Sequence, residues 1–61
     1  MHNSVEVAYQ KGIFNVIGSV ALQTRDRILG IKTAKEANQK ALELVKQYQK
    51  EGHVIETVNL W

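Results

Sequence analysis

Two glutamates, two histidines and four closely spaced cations carry most of the chemistry available to this 61-residue chain. Glu6 and Glu56 lie in segments expected to become the first and last strands of one sheet. Side by side they would form a carboxylate pair, the smallest set for general acid–base work. Such work also needs an enclosing pocket, and separate solvated strand residues are the simpler reading. His2 and His53 are too few for a metal cage, and there is no cysteine to add thiolates. His53 follows a helix stop, where an imidazole suits the carbonyl end of the helix. His2 falls in a segment expected to fray. No nucleophile elbow, zinc motif, P-loop or dinucleotide fingerprint occurs. The sequence predicts no catalytic residue, no metal and no cofactor, and so a chain that is not an enzyme.

The cations are Arg25, Arg27, Lys32 and Lys35, in the stretch "TRDRILGIKTAKEAN". From Gln23 to Lys40 there are five basic and two acidic residues, a balance of 5 − 2 = +3. The rest of the chain has 3 − 4 = −1, so the net +2 is concentrated in one segment. If Arg25-Asp26 is a turn, the two arginines sit at a hairpin tip, where a ribbon can probe a groove. Lys32 and Lys35 sit at a helix N-terminus, already electropositive and suited to phosphate. No aromatic residue is interleaved with these cations, which argues against stacking on single strands. A solvated turn and helix shoulder accounts for the same charges. The four residues are therefore candidates for contact with phosphate or an acidic partner, with nucleic acid the less favoured of the two.

A chain of this length makes one domain, 1–61, with a small core. Small domains usually add a disulfide, a metal or a second subunit. With the first two excluded, a homodimer is expected. The N-terminal "MHNSVEVAYQ" lacks the basic and apolar regions of a signal peptide. The run "GIFNVIGSVAL" is too short to span a bilayer. A cytoplasmic location without membrane contact is expected, and the absence of cysteine fits it.

The clearest element is a helix from about Ala34 to Glu51. "TAKE" reads as a capping box of Thr33 and Glu36. Ala34, Ala37, Ala41, Leu44, Val45 and Tyr48 share one apolar arc, and Leu42 flanks it. Gly52 ends the helix. Before it the apolar period is two. A turn at Lys11-Gly12 sets Tyr9 opposite Phe14, Val7 opposite Val16 and Val5 opposite Gly18. A turn at Arg25-Asp26 sets Leu22 opposite Leu29 and Val20 opposite Ile31, on the same face. "HVIETVNLW", residues 53–61, reads as a last strand with ambiguous alternation. A helix over Gly12–Leu22 also fits the spacing, but two glycines and four β-branched residues oppose it. The fold class is α+β: a three-strand antiparallel meander, one helix packed on one sheet face, and a final strand parallel to the first (β-β-β-α-β).

The other sheet face is expected to carry Ile13, Ile17 and Ile28 among polar residues. If Ile55 and Trp61 point the same way, the apolar area becomes continuous. A patch of that kind tends to be an interface, although scattered apolar residues on a sheet are ordinary. Trp61 is expected to pack, either under the helix or across an interface.

The phrase "GIKTAKEANQKALELVKQYQKEG", with Thr33, Glu36 and Ala37 at its start, resembles the N-terminal domain of HicB-type antitoxins. The Pro-Asp-x-Pro-Gly segment of that family has no counterpart in this proline-free chain. The resemblance implies a dimeric, protein-binding regulator. Burial and the lack of catalytic groups point the same way, to a small non-enzymatic protein-binding or regulatory module. The alternative is a nucleic-acid-binding regulator.

Overall fold

The computed structural model describes residues 2–61. Five elements follow in order: β1 (Ser4–Gln10), β2 (Ile13–Val20), β3 (Gln23–Ile31), α1 (Ala34–Lys50) and β4 (Thr57–Asn59). They form one four-stranded sheet in the order β3-β2-β1-β4, with α1 packed on one face. The last strand runs parallel to the first, Val58 opposite Val5. The α+β reading therefore holds, with β4 shortened to three residues.

The first hairpin has the expected register: Tyr9 opposite Phe14, Val7 opposite Val16 and Val5 opposite Gly18. Lys11 and Gly12 both take positive φ, as a two-residue turn between twisted strands requires. Val5, Val7, Phe14 and Val16 face the helix and are buried with Ile31, Ala37, Ala41, Leu44 and Tyr48. The helix arc read from its spacing is the arc that is buried. Thr33 caps it, its hydroxyl accepting from the Glu36 N–H at 3.2 Å. At the other end Gly52 N–H donates to the Gln49 carbonyl and His53 N–H to the Tyr48 carbonyl. These two bonds are the Schellman pattern.

The second hairpin turns in a different place from the one expected. Its turn is Ala21-Leu22, with Val20 opposite Gln23, and Arg25 and Arg27 lie within β3 instead of at a tip. Both turn residues have positive φ without being glycine, a conformation with a steric cost. Two hydrogen bonds offset it. The Ala21 N–H donates to Asn3 Oδ1 at 2.9 Å, and the Leu22 N–H donates to the His2 carbonyl at 3.1 Å. His2 is thus tied down rather than frayed.

Two irregularities then reset the alternation of β3. Ser19 pairs with Thr24 but Gly18 with Asp26, and Val16 pairs with Ile28 but Phe14 with Ile31. Arg25 is the extra residue of the first bulge, and Leu29-Gly30 fill the second, where Gly30 has φ +76°. The expected pairs Leu22–Leu29 and Val20–Ile31 do not form. Ile28 faces the helix side beside Val16 and packs on the core, and Leu29 is turned outward, 63% exposed. This reverses the faces expected for both. Ile31 keeps its expected place toward the helix.

Gly18 has a separate role. A Cβ there would overlap the Tyr48 hydroxyl and lie 2.9 Å from its Cζ. Gly18→Ala is therefore expected to lower unfolding free energy by about 1–3 kcal/mol, as overpacking does, measured by urea denaturation. Gly30→Ala meets no atom within 4 Å. Its loss is expected to come from backbone strain alone, at about 1 kcal/mol.

Candidate functional site

The structure distributes the nine candidate contact residues over four separate places. Arg25 reaches across the end of α1. Its guanidinium donates to both carboxylate oxygens of Glu51, at 2.6 and 2.9 Å. It also lies over the Tyr48 ring, 5.0 Å from the centroid, a favourable cation–π placement. Beneath it the Tyr48 hydroxyl donates to Asp26 Oδ2 at 2.6 Å. The His53 ring stands edge-on to Tyr48, with its Nε2 3.9 Å from Glu51. Arg25 is therefore engaged within its own molecule.

The other three cations form no salt bridge among the described residues. They do not converge. Arg27 sits on the sheet face away from the helix, opposite Ile17. Lys32 and Lys35 lie exposed at the N-terminal end of α1. Arg25 lies at the C-terminal end, about 25 Å away along a 17-residue helix. The concentration of charge in sequence thus separates in space.

Ile55 packs on the core, as Ile28 does. Trp61 packs on the helix side of the sheet. Its ring centroid is 5.3 Å from Tyr9 and 5.4 Å from Phe14, edge-on to Phe14. Asn38 holds its backbone, Oδ1 accepting from Trp61 N–H at 2.9 Å and Nδ2 donating to the Trp61 carbonyl at 3.3 Å. This is the first of the two placements expected for Trp61, with one side of the indole left open.

Ile13 and Ile17 remain on the far face, as the alternation of β2 predicts, and the Gly30 bulge adds Leu29. Reading across the sheet, one row is Glu6–Ile17–Arg27, and next to it Ala8 pairs with Asn15, which faces the Leu29-Gly30 bulge of β3. Gln10 pairs with Ile13 beyond them. Gln10, Lys11, Ile13, Asn15, Leu29 and Gly30 line an open depression of about 320 Å³. Among the described residues no element covers this face; α1 occupies the other. Its composition is one apolar stripe, Ile13, Ile17 and Leu29, flanked by a carboxylate and a guanidinium.

The two carboxylates considered for acid–base work are not brought together. Glu6 pairs with Asn59 in the β1–β4 ladder, whereas Glu56 Oε1 accepts from the Asn3 N–H at 3.0 Å. Asn3 is the residue that sequence reasoning missed. It is buried, and its Nδ2 donates to the Val54 carbonyl at 2.8 Å while its Oδ1 accepts from Ala21. Its own carbonyl accepts from Glu56 N–H at 2.9 Å. One amide side chain joins the N-terminus, the β2–β3 turn and the approach to β4. An asparagine two residues from a chain start carries no sequence pattern that would have marked it.

No family model, curated protein or solved structure matches this chain. The likeness to HicB-type antitoxins is thus carried by Thr33, Glu36 and Ala37 alone. The cap and the buried helix stripe account for all three. Among the described residues no helix is long and apolar enough to cross a membrane.

Two titrations should bracket stability. The hydrogen bond from Arg25 holds the Glu51 carboxyl below its ordinary range. A carboxyl lowered in the folded state adds stability above its unfolded pKa of about 4.3, and that part is lost as pH falls. Burial, then the bond to Asp26, pushes the Tyr48 phenol well above its ordinary value. A phenol raised in the folded state stabilises below its unfolded pKa of about 10, and stability falls as pH rises beyond that. Urea midpoints across pH are expected to decline at both ends, with Tyr48→Phe removing most of the alkaline decline. Asn3→Ala is expected to cost about 1–3 kcal/mol at neutral pH, because it strands the Ala21 N–H and the Val54 carbonyl. Thermal or urea unfolding reads that loss.

Proposed function

We propose that this chain is a small non-enzymatic protein-binding module of the regulator or inhibitor type. It works as a homodimer and makes its contacts through the sheet face opposite α1. The supporting observation is that face itself. Ile13 and Leu29 stand 45% and 63% exposed there, with the half-buried Ile17 further along β2, and among the described residues no other element packs on this face. A core of nine buried apolar residues among the described residues is small, and the chain has no cysteine to form a disulfide. Burial of a second apolar layer supplies the reinforcement that such a domain otherwise lacks.

A nucleic-acid reading draws on the same basic segment and has less support. It asks Arg25, Arg27, Lys32 and Lys35 to act together, and Arg25 is bound to Glu51 while the others point to separate places. A single groove or backbone track would meet only part of the set.

Sedimentation of the purified chain from micromolar to millimolar concentration tests the proposal. A concentration-dependent rise from 6.9 kDa toward twice that mass is expected. Ile17→Lys should abolish the rise while leaving the circular dichroism of the fold unchanged. A monomer throughout the range would overturn the homodimer.

A further inference from the structure

We infer that the partner on the open face is a second copy of this chain, docked about a two-fold axis that runs along β2 through Ile17. Glu6 of each copy then pairs with Arg27 of the other. The inference rests on the functional reading above and specifies it.

The charge pattern selects the axis. Glu6, Ile17 and Arg27 lie in one row across β1, β2 and β3, all on the far face. Adjacent strands are about 4.8 Å apart, so Glu6 and Arg27 flank Ile17 at roughly 10 Å from each other. Neither is in a salt bridge among the described residues. A two-fold axis along β2 exchanges the two ends of the row. It lays Ile17 on the partner's Ile17 and each Glu6 on the partner's Arg27. A two-fold axis across the strands instead lays Glu6 on Glu6 and Arg27 on Arg27, so like charges oppose. Juxtaposed like charges are among the stronger penalties in an interface.

The neighbouring row agrees without reference to charge. Ala8 pairs with Asn15, the exposed Leu29 stands in the bulge on the other side of Asn15, and the axis along β2 brings Leu29 to the side of the partner that carries Ala8. A large side chain meets a small one on both sides of the axis, as interlocking faces require. The same axis brings Ile13 onto its copy. The arrangement also keeps the two sheets aligned, which is the commoner way for sheets to pack face to face.

Size sets the strength. The strands comprise 7, 8, 9 and 3 residues. At about 3.3 Å per residue and 4.8 Å per strand, two such faces bury on the order of 1,000 Å². That is near the lower limit for a specific interface. The dimer should therefore form reversibly and respond strongly to the loss of either ion pair.

Charge exchange tests the axis. Glu6→Arg and Arg27→Glu are each expected to weaken self-association at least tenfold by sedimentation at low salt. The double variant Glu6→Arg/Arg27→Glu should regain it, and an equimolar mixture of the two single variants should form a mixed dimer. Glu6→Gln should also weaken the dimer, whereas an axis across the strands would make Glu6→Gln strengthen it. If the wild type dimerises, Ile17→Lys disrupts it, and the charge variants have no effect, the two-fold arrangement is overturned and the docking face stands. If the wild type is monomeric throughout, the homodimer and the arrangement both fall.

Discussion

Tyr48 carries its hydroxyl from the C-terminal part of α1 down into the sheet, over Gly18, to donate to Asp26 at 2.6 Å. Much else follows from that contact. Gly18 must lack a side chain to admit the ring. Asp26 must face the helix, which the bulge at Arg25 allows by shifting the alternation of β3. Arg25 closes over the ring and fastens to Glu51, and Glu51 is the cap residue of the helix. A buried phenol with a charged acceptor is costly to leave unpaired. The network therefore fixes both the rotation of α1 and the register of β3.

The perimeter is held by polar clasps. Asn3 ties three segments at one end of the sheet, and Asn38 binds both backbone groups of Trp61 on the helix side. Each clasp acts where apolar burial is thin. Val54 is 75% exposed, yet its carbonyl is engaged by Asn3. Interior packing and edge hydrogen bonds thus divide the task of ordering a short chain. All of these devices lie on the helix side or at the sheet ends, away from the opposite face.

The helix was legible because its signal is periodic and long: a capping threonine, a stripe at 3.6-residue spacing and a terminal glycine. The first hairpin was legible because Lys11-Gly12 supplies turn chemistry between two alternating runs. The second was not. Ala21 and Leu22 hold a turn that their types disfavour, stabilised by Asn3 and His2 from another part of the chain. Bulges at Arg25 and Gly30 then exchanged the faces of Ile28 and Leu29, an effect that period-two counting does not register. For the candidate site, Ile13 and Ile17 were readable from β2 alone. Leu29 reaches the far face only through the Gly30 bulge, and the separation of the four cations depends on tertiary packing that sequence proximity conceals.

The Tyr48–Asp26 bond is the lock between helix and sheet, so a double-mutant cycle on that pair tests it most directly. Urea unfolding of Tyr48→Phe, Asp26→Ala and the double variant gives the coupling free energy. A coupling of about 1.5–3 kcal/mol is expected, as for a hydrogen bond to a charged group. Additive losses would show that the two side chains stabilise the fold independently, and would contradict it.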